Sequence, residues 1–205
     1  MQGYIINFNR VKDEDLIVTV LTPSEVLTLY RFYGARHSQI NLGYKIDFEV
    51  QQSLKSNIPQ LRGVLHLAQH FNTDFNRMRI WQLFMRLFFL HLKDIKELQS
   101  FYYNLLEDCS KIWHKQNPKR VAIETYIKLL NFEGRLHDEF ICFNCETKCT
   151  KYVALVRGFL VAHEKCVWSD PFEIEKIEYL FKNNSTLFLD DLEVERVWKI
   201  MQEGL

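Results

Sequence analysis

Residues 44–51 read YKIDFEVQ, with apolar and polar residues alternating at every step, so that Tyr44, Ile46, Phe48 and Val50 share one face. A period of two marks a strand with one side buried in a sheet. Shorter β-rich runs surround it at Gly3 to Phe8, Leu16 to Leu21, Val26 to Phe32 and Leu61 to Leu67. Five short strands within about 70 residues leave many unpaired edges unless the sheet closes on itself. The pattern therefore predicts a five-stranded OB-like barrel.

From Thr73 onward the period becomes that of helices. Asn72 or Thr73 is the expected cap of a helix running through Trp81, Phe84, Met85, Phe88 and Phe89, and a second helical run extends from about Ile95 to Lys115. Asn117 followed by Pro118 is a start signal, and Gly134 supplies the stop after Phe132 and Glu133. Asp170 and Pro171 repeat the start signal, and a last helix is expected from about Asp190 to Gln202. The fold class is α+β: an OB-like nucleic-acid-binding domain over residues 1–72, then a helical domain over 73–205 with an insertion at about 139–168.

That insertion holds four of the five cysteines, in the stretch FICFNCETKCTKYVALVRGFLVAHEKC from Phe140 to Cys166. Cys142 and Cys145 form one hook, His163 and Cys166 a second with the same gap of two residues, and two such hooks complete the four-coordinate N/S shell that zinc prefers. The expected cofactor is a structural Zn2+. Cys149 is an alternative to His163 in that shell, and a lone C-x-x-C is also a thiol redox motif, although that motif normally opens a helix in a βαβ setting. Cys109 reads as a core thiol of a helix.

Composition excludes several classes. The 205 residues carry no formal net charge, are 47% hydrophobic and 25% charged, and so are neither disordered nor strongly polyionic. The most apolar run, Ile80 to Leu92, is short and contains Arg86, which makes it a core helix and not a membrane span. The opening MQGYIINFNR alternates like a strand and lacks the form of a secretory signal, so a cytoplasmic protein with no membrane partner is expected. Phosphate-cradling glycine loops, G-x-S-x-G elbows and H-E-x-x-H helices are absent from the sequence, which points away from an enzyme. His66 and His70, four residues apart, would share a face only if that segment were helical.

Charge is nevertheless segregated. Thr73 to Arg120 holds nine Lys/Arg against five Asp/Glu, whereas Pro171 to Leu205 holds four against eight. A phosphate polymer is drawn to the first surface and repelled by the second. In the turn LYRFYGARHS, Arg31, Tyr33, Arg36 and His37 cluster around Gly34, with Arg10 and Lys12 available from the first loop. Cations for the backbone and a flat ring for the bases are what single-strand binding requires.

Three segments carry a family resemblance. GYIINFNRVKDEDLIVTVLTP at residues 3–23, YGAR at Tyr33 to Arg36, and ETYIKLLNFEGRLHDEFICFNC at residues 124–145 resemble, in order, the opening strands, the basic turn, and the helix with first cysteine hook of RecO, a family of bacterial recombination and repair mediators. Tyr33 stands where that family has a basic residue, and His163 where many members have cysteine. The resemblance implies an OB domain, a helical domain and a zinc knuckle in a protein without enzymatic turnover. It also implies binding of single- and double-stranded DNA, strand annealing, recognition of the C-terminal tail of single-stranded DNA-binding protein, and action with RecR to load RecA. By position it makes Arg36 the foremost DNA contact and places Cys142, Cys145, His163 and Cys166 at the zinc hooks. The alternative, which near-zero charge favours, is a zinc-stabilised interaction scaffold with little DNA affinity.

Overall fold

In the computed structural model the described residues are 1–36, 38–53, 56–93 and 98–204. They pack as two compact units, Met1–His114 and Lys115–Leu205.

The first unit is built on a closed barrel of β1 (Gln2–Lys12), β2 (Asp15–Leu21), β3 (Val26–Arg31), β4 (Lys45–Gln51) and β5 (Gln60–His66). The order around the barrel is β1-β2-β3-β5-β4, with a short parallel seam where Tyr30 of β3 meets Gln60 of β5. This is an OB-like barrel. Its interior is filled by Ile5, Val18, Val20, Leu29, Ile46, Phe48 and Leu61, all essentially inaccessible. The expected face of β4 is in place: Ile46 and Phe48 lie in the core, and Tyr44 and Val50 pack half-buried against it. Burying each such side chain contributes about 1.5–3 kcal/mol.

Two helices complete this unit, α1 (Phe75–Leu92) and α2 (Ser100–Ile112). The cap of α1 is Asp74, whose carboxylate accepts from the Arg77 N–H at 3.0 Å. Asn72, one of the two residues expected to cap, instead accepts from the Gln69 N–H at 2.6 Å in the preceding turn. Of the expected second run, residues 95–97 lie outside the described residues, and the helix begins at Ser100. The Trp81 indole donates to the Gly43 carbonyl at 2.8 Å, and Trp81 and Trp113 meet edge to face at 4.8 Å. Tyr4 of β1 donates to Glu107 of α2 at 2.7 Å, and Lys45 of β4 pairs with the same carboxylate at 2.7 Å. The change of period at residue 72 and the division in packing at 114 therefore fall in different places, because α1 and α2 cover the barrel.

The second unit contains α3 (Pro118–Phe132), a three-stranded sheet in the order β7-β6-β8 (Val161–Ala162, Tyr152–Leu155, Phe172–Glu173), the short α4 (Glu164–Val167), α5 (Ile174–Asn183) and α6 (Asp191–Gln202). Asn117 caps α3 through the Lys119 N–H. Gly134, at φ 65°, ends it, with the Gly134 N–H bonded to Asn131 and the Arg135 N–H to Leu130. The start expected at Asp170 and Pro171 lies too early. Phe172 and Glu173 first pair with Val153 and Tyr152, and α5 begins at Ile174. The carbonyls of Asp170 and Pro171 accept from Arg196 of α6. Asp190 and Glu193 form a reciprocal capping box that starts α6. On α3, Arg120 donates to the carbonyls of Thr186 and Leu189, and Glu124 accepts from the N–H and hydroxyl of Thr186, so one helix face fastens the turn between α5 and α6.

Candidate nucleic-acid interface and metal centre

The basic turn after β3 is a single 3-10 turn, Gly34–Arg36. Tyr33 enters it at φ 51°, its N–H donating to the Asp15 carboxylate at 2.7 Å, and its ring is 58% exposed. Arg36 lies over that ring, Cζ 5.3 Å from the centroid, and pairs with Glu14 of the β1–β2 turn. Asp15 also accepts from the Tyr30 hydroxyl at 2.6 Å, and the Tyr30 and Tyr33 hydrogen bonds hold its carboxyl below the usual range.

The other expected contacts divide. Arg31 is half-buried and donates from Nη1 to the Leu61 carbonyl at 3.0 Å, while its Nε is buried with no partner among the described residues. Burial, and then Arg62 nearby, push its pKa down. Arg10 and Lys12 are exposed, but they belong to β1, opposite Leu16 and Asp15, and not to a loop, because the hairpin is longer than the apolar run alone suggests. His37 lies outside the described residues. Arg31, Tyr33 and Arg36 thus gather at one end of the barrel, each already engaged by a neighbour.

Two features of this unit were missed in the sequence. Tyr30 of β3 and Phe32, two positions on and just past the strand's end, meet at 4.8 Å, with Phe32 42% exposed. Arg79 and Arg86 on α1 and Lys93 at its C-cap are exposed at seven-residue spacing, which keeps them within about 40° on one helix face over roughly 21 Å. The period of two and the heptad spacing were the signals available. Elsewhere the positive segment is largely neutralised, since Lys111 pairs with Asp108, Lys119 with Glu195 and Arg120 with Asp191.

The cysteine hooks converge. One ligand atom from each of Cys142, Cys145, His163 and Cys166 lies within 4.8 Å of every other. The first hook is a tight hairpin in which the Cys142 N–H bonds to Thr147, the Cys149 N–H to Phe140 and the Glu146 N–H to Cys142. The second stands where β7 meets α4, with the Cys166 N–H bonded to the His163 carbonyl at 2.9 Å. The Phe143 N–H bonds to the Val161 carbonyl at 3.0 Å and joins the two. Cys149 is buried outside the set, paired through its backbone with Phe140, so the packing favours His163 over it.

The donors suit a metal. His163 Nδ1 is 3.3 Å from Cys145 Sγ, and Nε2 is 3.4 Å from the Lys148 carbonyl, the second contact by which a ligating histidine is usually oriented. Burial pushes the Cys142 thiol up, but the backbone N–H groups of Cys145, His163 and Asn144 bring it down to about 6. Cys166 is raised to about 11 by burial and by its bonds to the other two thiols. Thiols crowded so closely are relieved by a cation, which deprotonates those that coordinate it. His66 and His70 are not a metal pair: His66 stacks on Tyr44 at 3.9 Å and His70 faces His114 at 4.7 Å.

The chain thus joins a closed five-stranded OB-like barrel with an exposed aromatic and basic end to a Cys3His cluster able to hold a metal ion. Residues 1–72 match the family model described as RecO N terminal. Residues 1–72 are thus similar to the N-terminal domain of the RecO recombination and repair mediators, in line with the resemblance read from the sequence. No curated protein matches the chain. No helix among the described residues is long and apolar enough to cross a membrane.

Proposed function

We propose that this chain is a non-enzymatic mediator of DNA recombination and repair that binds and anneals single strands and, with RecR, helps load RecA onto DNA coated by single-stranded DNA-binding protein. The observation that carries the reading is the RecO N-terminal barrel with Arg36, Tyr33 and Phe32 exposed at one end. Annealing needs no nucleophile; it needs two strands held close with their phosphate repulsion reduced. The exposed row Arg79, Arg86, Lys93, in the same unit as the barrel, supplies further cations for that task. Residues 1–72 act as the nucleic-acid-binding domain, with Arg36, Arg31, Tyr33, His37, Arg10 and Lys12 as its contacts.

In this reading the segment of about residues 139–168 is a knuckle closed by Zn2+ on Cys142, Cys145, His163 and Cys166. Four protein donors leave the ion no position for a water, so its role is to hold the two hooks together. The C-terminal tail of single-stranded DNA-binding protein and RecR are the protein partners, and the cytoplasm is the compartment.

A titration of labelled single-stranded DNA at two salt concentrations tests the proposal, with tight, salt-sensitive binding expected. The Arg36–Glu14 pair and the Arg31–Leu61 bond favour one competitor, an interaction scaffold whose barrel binds DNA weakly. Absence of binding at low salt, together with tight binding to RecR, would decide for the scaffold.

A further inference from the structure

Beside the basic turn lies a cleft of about 450 Å³ that the barrel core does not use. Tyr30 and Phe32 line one part of it, and Gln51, Gln52, Ser53, Ser56, Ile58 and Gln60, flanking the β4–β5 connection, line the rest. Tyr30 is fixed by its bond to Asp15, and Phe32 packs against it edge to face, with interplanar angle 65°. Arg62 lies near the Phe32 ring, Cζ 5.8 Å from the centroid, and donates to Gln60 Oε1 at 2.6 Å. That bond engages the oxygen end of the Gln60 amide and leaves its NH2 end to donate. Among the described residues, none that lines the cleft carries a charge.

We propose that this cleft receives one unpaired nucleobase, stacked on Phe32 and bonded along its edge by the amides of Gln51, Gln52 and Gln60. The proposal rests on the DNA-binding reading and deepens it. A base offers a flat face and neutral donors and acceptors on one edge, which is what an aromatic wall and amides match. A phosphate would call for cations in the lining, and a purely apolar ligand would leave the amides unsatisfied. The volume falls within the range of about 300–1,000 Å³ usual for small-ligand pockets.

The charge balance gives the cleft its weight. Residues 1–72 hold seven Lys/Arg against six Asp/Glu, so attraction to phosphate alone is weak. In a duplex both faces of a base are stacked and its edge is paired, so a base enters only from a single strand. The cleft therefore makes the barrel select single strands over duplex, which surface charge cannot do.

The test uses the full chain with three labelled probes: a 20-mer of thymidine, a 20-base-pair duplex, and a 20-mer sugar-phosphate strand without bases. Phe32→Ala is expected to weaken binding of the thymidine strand by about 5- to 150-fold. It should leave duplex binding unchanged, and Phe32→Tyr should restore the difference. The parent protein should bind the base-free strand as weakly as Phe32→Ala binds the thymidine strand. Equal affinity of the parent for the base-free and thymidine strands, or equal losses on single strand and duplex in Phe32→Ala, would overturn the proposal while leaving DNA binding in place. A parent that binds none of the probes at low salt overturns both readings. The base-free probe requires no substitution and does not depend on how the variant folds.

Discussion

The buried indole N–H of Trp81 donates to the carbonyl of Gly43 at 2.8 Å, and a Cβ on Gly43 would lie 2.5 Å from the same ring. Helix α1 therefore sits on the barrel at a distance that only glycine permits, at a residue whose φ of 82° also favours glycine. Gly43→Ala is expected to destabilise the protein by about 2–4 kcal/mol, through overpacking added to backbone strain. Urea unfolding monitored by tryptophan fluorescence measures this, and an unchanged midpoint would contradict the docking.

The metal prediction separates the two candidate fourth ligands. Cys142→Ser with Cys145→Ser should abolish zinc content and lower Tm, because ligand binding at such a site is coupled to folding. His163→Cys should retain zinc, since it keeps the spacing and supplies a thiolate. Cys149→Ser should retain zinc as well, its thiol lying outside the cluster. Metal analysis of the purified variants decides, and loss of zinc in Cys149→Ser would overturn the assignment.

A pH dependence follows from Glu107. Burial pushes its carboxyl up, but the Lys45 ammonium and the Tyr4 hydroxyl outweigh this and hold it below the ordinary 4.5. A depressed carboxyl adds stability above its unfolded value and loses it as pH falls through the folded one. The Tm difference between the parent and Glu107→Gln should therefore be largest near neutrality and shrink below about pH 4. A difference independent of pH would show that the carboxylate charge does not hold α2 to the barrel.

The two arginines of the turn should behave differently. Arg36 is exposed and paired across the surface, so Arg36→Ala should change stability by about 0–1 kcal/mol. Arg31 donates from a half-buried position to a backbone carbonyl, and Arg31→Ala should cost about 1–3 kcal/mol. Any loss of DNA binding in Arg31 variants must accordingly be read beside their denaturation curves.

The row on α1 is tested by salt. If Arg79 and Arg86 each meet one phosphate, replacing both by glutamine should reduce the log–log salt slope of single-strand binding by about 1.4. An unchanged slope would remove α1 from the interface.

What the sequence disclosed follows from how local each signal is. The alternation of YKIDFEVQ, the Asn117–Pro118 start, the Gly134 stop and the paired hooks depend on residues within a few positions of one another, and all are present. Asp170–Pro171 misled because its helix start was displaced by a distant demand, the pairing of Phe172 with Val153. The sheet β7-β6-β8 went unseen because β7 and β8 have two residues each, too few to show a period. The cleft beside the basic turn was not legible because it is made by Tyr30 and Phe32 together with residues some twenty to thirty positions on.

The hold of Arg120 and Glu124 on the turn at Thr186 to Leu189 also sets a timetable. Helix α3 leaves the ribosome about 70 residues before the segment that satisfies those side chains. At roughly 5–20 residues per second the interval is on the order of 4–14 s. Over the same interval the cysteines emerge one after another, with Cys142 and Cys145 ahead of His163 and Cys166. The nascent chain thus presents half a metal site before the other half exists, and the second unit closes only after the later segment has emerged.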